Sequence, residues 1–572
     1  MRGTLGMVSS GHPLATQAGM RILDAGGNAI DAGVATGICL DVLQSDMVSF
    51  AGVAPMIIYL ANTNELRTIS GLGPWPKAAS VDYFIKNFSG EIPLGIPRTV
   101  IPAAPDAWIQ ALRLYGTMSF EEVSRDAIEL AEHGFPMHQL MSNTIKEKIA
   151  NYQKWPTSIE IYLPKGRPPE PGEVFVQKDL AQTMKKMVKA ERKRRFSGRD
   201  EALQSARDEF YRGEIAEAIL DFHRRNDGLL RREELEHFQV KIEKPLRTTY
   251  KEYEIFSCGF WCQGPVLLQA LNILEKFDLK RMGHNSAEYI HCVTEALKLV
   301  FADREKFYGD PEFVDIPEAD LLSKDYAGER GALIERGKAW PEMPPAGDPR
   351  DRGGKGKEYS VDRIAEGTRP SHCVDDDDPD TTYLCVVDKY GNSFSCTPSD
   401  GSFNSPVVSN TGLVVSPRGS QSWVDDSHAS SIQGGKRPRL TPNPAMVFRK
   451  GRFFMSFGSP GGDVQCQAML QFFLNIAEFE MDPQEAVEAP RFATYSFPSS
   501  FSPHEYHAGL LRIEKKIEEV ISTKLSEKGH RIEAWPEWAW KAGGVCAVAV
   551  DSENGILLGA ADPRRECYAI GW

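Results

Sequence analysis

The chain has 572 residues, 41% hydrophobic and 25% charged, with a net charge of −13, the composition of an ordinary soluble globular protein. The acidic balance disfavours nucleic acid or an anionic membrane surface as partner and says nothing about a small substrate. No run approaches the roughly 20 apolar residues of a membrane helix. A length beyond the roughly 250–300 residues at which one core stops growing would by itself predict two or three domains.

The opening, MRGTLGMVSSGHP, lacks a charged region, an apolar core and a cleavage site in succession, so cytoplasmic residence is expected. Residues 13–43 carry helical periodicity and 54–60 (APMIIYL) read as a strand. Helical stretches follow at 119–133, 178–194 and 286–306. The most basic run, 186–201, reads as the solvated face of a helix rather than a nucleic-acid patch. From about 341 to 380 the chain is rich in Pro, Gly and Asp, which suits an exposed linker. Strands are then predicted at 383–388, 393–397, 412–416 and 453–457, helices at 463–478 and 512–528, and strands at 545–551 and 555–560. Ten cysteines are sparse, and Cys39, Cys385, Cys396 and Cys546 lie in apolar runs, as buried free thiols of a reducing compartment do. Cys258 and Cys262 lack a second pair at zinc-ligand spacing. The adjacent carboxylates Asp375 to Asp378 point apart in an extended chain. No metal and no cofactor is expected.

Residues 376–401, DDDPDTTYLCVVDKYGNSFSCTPSDG, run from an acidic segment into Thr381-Thr382, a strand, a Gly-Asn turn and a second strand. A Thr that opens a strand after an accessible segment is suited to become a new chain terminus. Cleavage of Asp380–Thr381 would set the freed α-amine beside the hydroxyl, giving nucleophile and base in one residue. At a pKa near 7.7–8.0, roughly a tenth of such amines are unprotonated at pH 7. On local pattern alone, ordinary strand propensity accounts for the Thr pair just as simply.

Several segments together change that balance. GMVSSGHPLATQAGMRILDAGGNAIDAGVATGICLDVL (6–43), VLLQALNILEKFDLK (266–280), EALKLVFADREKFYGDP (295–311), TTYLCVVDKYGNS (381–393), FGSPGGD (457–463) and LLGAADPRR (557–565) resemble, in order, the landmarks of the γ-glutamyltransferase family. The resemblance implies an N-terminal-nucleophile hydrolase of the α+β class: a four-layer αββα sandwich. In that fold a large fragment (1–380) and a small one (381–572) interleave into one heterodimeric unit, with further dimerisation open. It implies cleavage at Asp380–Thr381, Thr381 as the nucleophile, and Gly461 and Gly462 as the oxyanion-stabilising pair. Backbone amides at a helix start suit that role, although a Pro-Gly-Gly turn is by itself an ordinary structural device. Ser399 matches a hydroxyl residue that orients the nucleophile; a turn serine is the plainer alternative. Asp400 and Gly401 stand where relatives carry an apolar residue and an Asn.

The departures bear on the substrate. A γ-glutamyl group needs a guanidinium for its α-carboxylate and an acceptor for its ammonium. Family members that handle it place the Arg in the segment written here SGLGPWPKAAS, where the aligned residue is Leu72. The ammonium-binding Asp falls at Gln421, and a Ser-Ser pair becomes Leu440-Thr441; a register shift across 412–425 would bring Asp425 or Asp426 to the former place instead. WCQGP and RLTPNP resemble the cephalosporin acylase and oxamate amidohydrolase branch. Trp261, Arg418 and Arg439 are candidates to line an acyl pocket, with core or surface placement the plainer reading of each. The expected activity is hydrolysis of a small or non-γ-glutamyl amide through an acyl-enzyme on Thr381. The alternatives are a γ-glutamyltransferase or glutathione hydrolase, a carboxylesterase using the same nucleophile, and an uncleaved non-catalytic homologue.

Overall fold

The computed structural model describes residues 1–350, 381–517 and 519–572. Two seven-stranded antiparallel sheets form its centre. One runs Arg2–Gly3, Ile556–Ala561, Cys546–Asp551, Arg452–Gly458, Ala445–Arg449, Tyr253–Ser257, Leu246–Tyr250. The other runs Tyr568–Gly571, Gly6–Ser10, Leu384–Asp388, Ser393–Cys396, Met56–Leu60, Glu65–Ile69, Ile242–Glu243.

Strand alternation explains why these sheets stack and why both are covered. In Leu384–Asp388, Leu384 and Val386 join the core formed with helices Pro13–Asp24 and Ala29–Leu43, whereas Cys385 and Val387 pack with Met7, Cys546 and Val548 between the sheets. The opposite sheet does the same: Ala445, Val447, Met455 and Phe457 face helices Gly264–Leu274, Ala287–Phe307 and Gln465–Phe479, while Met446 and Phe448 meet Ile57 and Tyr59. A two-residue side-chain period sends alternate residues to opposite faces, so the chain builds helix, sheet, sheet and helix layers. This is the expected αββα sandwich of the α+β class, in which segments from both sides of residue 380 interleave in both sheets.

The periodicity predicted three strands in each large sheet and the helices near 119–133, 178–194, 286–306 and 463–478, but not strands such as Gly6–Ser10, Glu65–Ile69, Tyr253–Ser257 and Ala445–Arg449. The stretch 13–43 is two helices, because Gly26 (φ 94°) ends the first and Asn28 caps the second through a reciprocal bond with Asp31. The predicted helix 512–528 is a strand, Leu510–Glu514, followed by a helix, Glu519–Glu527. LLRIE is wholly buried and pairs parallel with Arg531–Trp535 and antiparallel with Phe492–Thr494, a tertiary pairing that outweighs local propensity. Residues 341–350 are tied to the body: Met343 N donates to the Tyr506 hydroxyl (2.7 Å), Gly347 N to Asp303 (2.9 Å), and Pro345 O accepts from Arg330 (3.0 Å). The rest of the expected linker, with Asp375 to Asp378 and Asp380, lies outside the described residues. The basic run decorates the helix Lys178–Arg194, where Lys185, Lys186 and Arg192 pair with Glu132, Glu214 and Glu121. Among the described residues no helix is long and apolar enough to cross a membrane.

Asp388 ties the central hairpin to the helix layer. Its Oδ1 accepts from Tyr390 N (2.9 Å) and Asn392 N (3.0 Å), and its Oδ2 from Ala29 N (2.9 Å) at the start of Ala29–Leu43 and from Asn392 Nδ2 (2.9 Å). Asp388→Ala would leave the buried Ala29 N–H and the part-buried turn donors without acceptors and is expected to cost about 1–3 kcal/mol, read as a fall in melting temperature by calorimetry.

Candidate active site

The strand Leu384–Asp388 is central in its sheet, and the three residues before it carry the chain out to Thr381. Thr381 bridges Ser399 across the hairpin, with Thr382 N donating to Pro398 O (3.2 Å). The buried Thr381 Oγ1 lies 2.9 Å from Ser399 Oγ and 3.2 Å from Gln465 Nε2, which donates to it. Gln465 is the first residue of the helix Gln465–Phe479, so the hydroxyl is held between the hairpin and a helix start.

That helix is reached through a turn that demands glycine. The strand Arg452–Gly458 ends against Tyr383, whose ring would lie 2.3 Å from a Cβ at position 458. The chain then passes through Gly461 (φ 122°) and Gly462 (φ 55°) into the 3-10 turn Gly462–Val464. Side chains rarely adopt such backbone angles. Asp463 anchors the turn: Arg304 Nη1 lies 2.5 Å from its Oδ1, and Ser500 donates to both of its oxygens (2.6 and 2.7 Å). Gln263 spans the gap, donating to Gly462 O (3.0 Å) and accepting from Arg304 (3.1 Å).

On the other side of Thr381 lies a buried polar chain. Arg418, 1% exposed, donates through Nη2 to Ser399 Oγ, through Nε to Asp400 Oδ1, and through Nη1 to Thr441 Oγ1 (3.4 Å). Thr441 Oγ1 also accepts from Gln421 Nε2 (2.9 Å), and Thr441 N donates back to Gln421 Oε1 (3.3 Å). Asp400 holds its backbone at φ 108°, a left-handed value rare for a residue with a side chain. Burial pushes its carboxyl above the usual range, with Arg418 opposing that rise.

The fold thus brings Thr381, Ser399, Gly461, Gly462, Arg418, Gln421 and Thr441 into one neighbourhood. Leu72 and Trp261 belong instead to an apolar cluster with Val53, Ile57, Cys258, Cys262 and Leu440, where Trp261 Nε1 donates to Glu243 (2.7 Å). Leu72 also edges a cleft of about 310 Å³ with Trp75, Ile101 and Phe238. Neither proposed arginine offers an open fork. Arg418 is spent as above, and Arg439 donates to Glu305 (2.9 Å) and to Arg304 O (3.1 Å). Asp425 accepts from Ser427 within its own turn, and Asp426 is exposed. Gln465, Asp463 and Arg304 went unread from sequence as site residues. Arg304 and Asp463 lie inside the matched segments 295–311 and 457–463, but their meeting across the core leaves no local trace.

Among the described residues, two groups of side chains carry metal-ligating atoms within 4.8 Å of one another. In the first, His291 and His530 bond each other (2.9 Å) beside Glu295, whose partner is the Lys298 ammonium (2.8 Å), a charge that repels a cation. In the second, His12 Nδ1 is used as the acceptor for Leu14 N (3.2 Å), and His138 lies 2.8 Å from Glu566 with its Nε2 on Leu43 O (3.0 Å).

Comparison with known proteins agrees with this architecture. Residues 15–572 match the family profile described as gamma-glutamyltranspeptidase. The chain is 32% identical to the acylase ACY 1 proenzyme of Pseudomonas sp. (strain SE83), over 99% of this chain and 93% of that one. It is 30% identical to the glutathione hydrolase-like YwrD proenzyme of Bacillus subtilis (strain 168), over 100% and 99%. The crystal structure of cephalosporin acylase from Bacillus halodurans superimposes with a TM-score of 0.85 at 26% identity, covering 100% of this chain and 96% of that one.

His12 follows Gly11, whose N–H donates to Tyr383 O (3.1 Å), and its ring lies 5.2 Å from that of His138, the partner of Glu566. Burial disfavours both charged forms, yet their mutual hydrogen bond and attraction hold His138 above its ordinary 6.5 and Glu566 below its ordinary 4.5. The histidine's contribution is complete below its ordinary value and is lost as pH rises through its folded-state value. The glutamate's is lost as pH falls through its own. Glu566→Gln is therefore expected to cost about 1 kcal/mol near pH 5.5, a penalty that closes as pH rises toward 9. Melting curves from pH 5 to 9 check this, and a constant difference would contradict it.

Proposed function

The chain belongs to the γ-glutamyltranspeptidase family of N-terminal-nucleophile amidohydrolases and transpeptidases, and from that premise we propose that it is a self-processing threonine hydrolase acting on a small, non-γ-glutamyl amide. The observation that carries the substrate reading is Leu72. Where γ-glutamyl recognition needs a guanidinium for the α-carboxylate, this chain has a leucine packed among Val53, Trp261 and Leu440. Leaving such a carboxylate unpaired in a desolvated site costs several kcal/mol. The other polar groups nearby, Arg418, Gln421 and Thr441, already satisfy one another. The acylase and cephalosporin acylase relatives support the same direction.

In maturation, Thr381 Oγ attacks the carbonyl carbon of Asp380. The C–O bond forms, the Asp380–Thr381 C–N bond breaks, and the hydroxyl proton goes to the departing nitrogen. Water then hydrolyses the ester, leaving fragments 1–380 and 381–572 as a heterodimer. In turnover the free α-amine takes the Thr381 proton as Oγ attacks the substrate carbonyl, and the amide N–H groups of Gly461 and Gly462 stabilise the oxyanion. One such donor contributes about 3 kcal/mol. The protonated amine gives its proton to the leaving amine, and water releases the acid from the acyl-ester. An activated ester would follow the same path. The nine described cysteines are all unpaired, and eight are buried, in keeping with a cytoplasmic enzyme.

Intact mass and N-terminal sequencing after incubation at neutral pH are expected to give two fragments, the smaller starting Thr-Thr-Tyr-Leu. Thr381→Ala should abolish both cleavage and turnover, and Thr381→Ser should keep part of each. A panel of small amides, paired esters and a γ-glutamyl anilide tests specificity: turnover of the anilide at ordinary enzyme rates would overturn the non-γ-glutamyl assignment.

A further inference from the structure

The helix Gln465–Phe479 buries three glutamines, and two of them use both ends of the side-chain amide. Gln467 Nε2 donates to Asp463 O (3.1 Å) and Thr494 O (3.0 Å), while its Oε1 accepts from Thr494 N (2.9 Å). Gln471 does the same against Phe492, donating to its O (2.7 Å) and accepting from its N (3.1 Å). Gln465 differs. Its Nε2 donates to Thr381 Oγ1 (3.2 Å), but its Oε1, on a fully buried side chain, has no hydrogen-bond partner among the described residues. A buried acceptor without a donor is destabilising, so its place beside the candidate nucleophile points to a donor that arrives later.

Self-cleavage would create one there. In the uncut chain the Thr381 nitrogen belongs to a peptide and carries a single hydrogen; after the cut it is an amine with two, or an ammonium with three. That nitrogen and Oγ1 sit on adjacent carbons of Thr381, and Oε1 and Nε2 share one carbon of Gln465. An amide that reaches Oγ1 with its nitrogen is thus able to turn its oxygen to the new amine.

We propose that Gln465 is a catalytic residue that holds mature Thr381 at two points, its Nε2 donating to Oγ1 and its Oε1 accepting from the α-amine that cleavage creates. This rests on the reading of Thr381 as a self-cleaving nucleophile. Holding one amine hydrogen restricts rotation about the N–Cα bond and so directs the lone pair that takes the hydroxyl proton. Gln465 neither gains nor loses a proton: the Thr381 proton passes to the amine nitrogen and from there to the leaving amine.

The test titrates that amine in the cleaved, full-length protein and needs no substrate. Cyanate carbamoylates unprotonated amines, and the mass of the peptide starting at Thr381 reports the extent at each pH from about 5 to 10. The Met1 amine of the same protein is the internal control. An acceptor stabilises the ammonium, so Gln465→Met, which keeps the length and loses the acceptor, should lower the midpoint for Thr381 by about half a unit, whereas the carboxylate of Gln465→Glu should raise it by at least as much. Charged groups packed around this corner, Arg418 with Asp400 behind Ser399, Arg304 with Asp463 under the turn and Arg565 beside Gly461, are the same in every variant. Both variants should still be cut to completion, at a lower rate, since the acceptor is used only after the cut. A Met variant whose midpoint fails to fall by about 0.3 unit, a Glu variant whose midpoint fails to rise by as much, or a variant left uncut beside a cut wild type would overturn the inference. Wild type reports on the underlying reading separately: if it is not cut before Thr381, that reading fails and the inference falls with it.

Discussion

A buried hydroxyl has its donor and acceptor roles set by the groups that hydrogen-bond to it. For Thr381 those groups come from three places in the chain: Ser399 from the hairpin, Gln465 from a helix start, and Arg418 behind Ser399. Their meeting depends on the register of Leu384–Asp388 between Gly6–Ser10 and Ser393–Cys396. A slip of one residue would exchange Leu384 and Val386 with Cys385 and Val387 between two different cores. The hydrophobic pattern of one short strand therefore holds the candidate nucleophile against Ser399 and Gln465.

Buried charge does the remaining positioning. Arg304 joins Asp463, Glu305, Gln263 and Ser500 and so fixes the turn that contains Gly461 and Gly462. Arg439 shares Glu305, and Arg437 takes Asp310 and Glu243. Removing one member of such a set leaves an uncompensated charge, at a typical cost of about 3–5 kcal/mol. The arginines of KRPR thus brace the scaffold around the site, which is why a basic motif beside a pocket need not bind substrate.

Asp400 illustrates how local rules yield at such a place. Nothing in SDG predicts a left-handed aspartate, and glycine at 400 would meet the backbone requirement without strain. The carboxylate is retained because it is the partner of a guanidinium that no solvent reaches. Similarly, LLRIE at 510–514 reads as part of a helix until its two neighbouring strands are known.

Much was legible in one dimension. Apolar periods of two and 3.6 residues marked three strands in each sheet and several of the longer helices, since burial repeats with the backbone geometry. The glycines of SPGGD were legible as a turn because a left-handed backbone favours that residue type. Leu72 stood out because a leucine cannot do what an arginine does for a carboxylate. The tertiary structure decided the roles of residues whose meaning lies in a partner far along the chain: Arg418 with Ser399, Arg304 with Asp463, Arg439 with Glu305, and Gln465 with Thr381. A side chain's identity announces which bonds it is able to make, but the partner that takes them is set by how the layers pack.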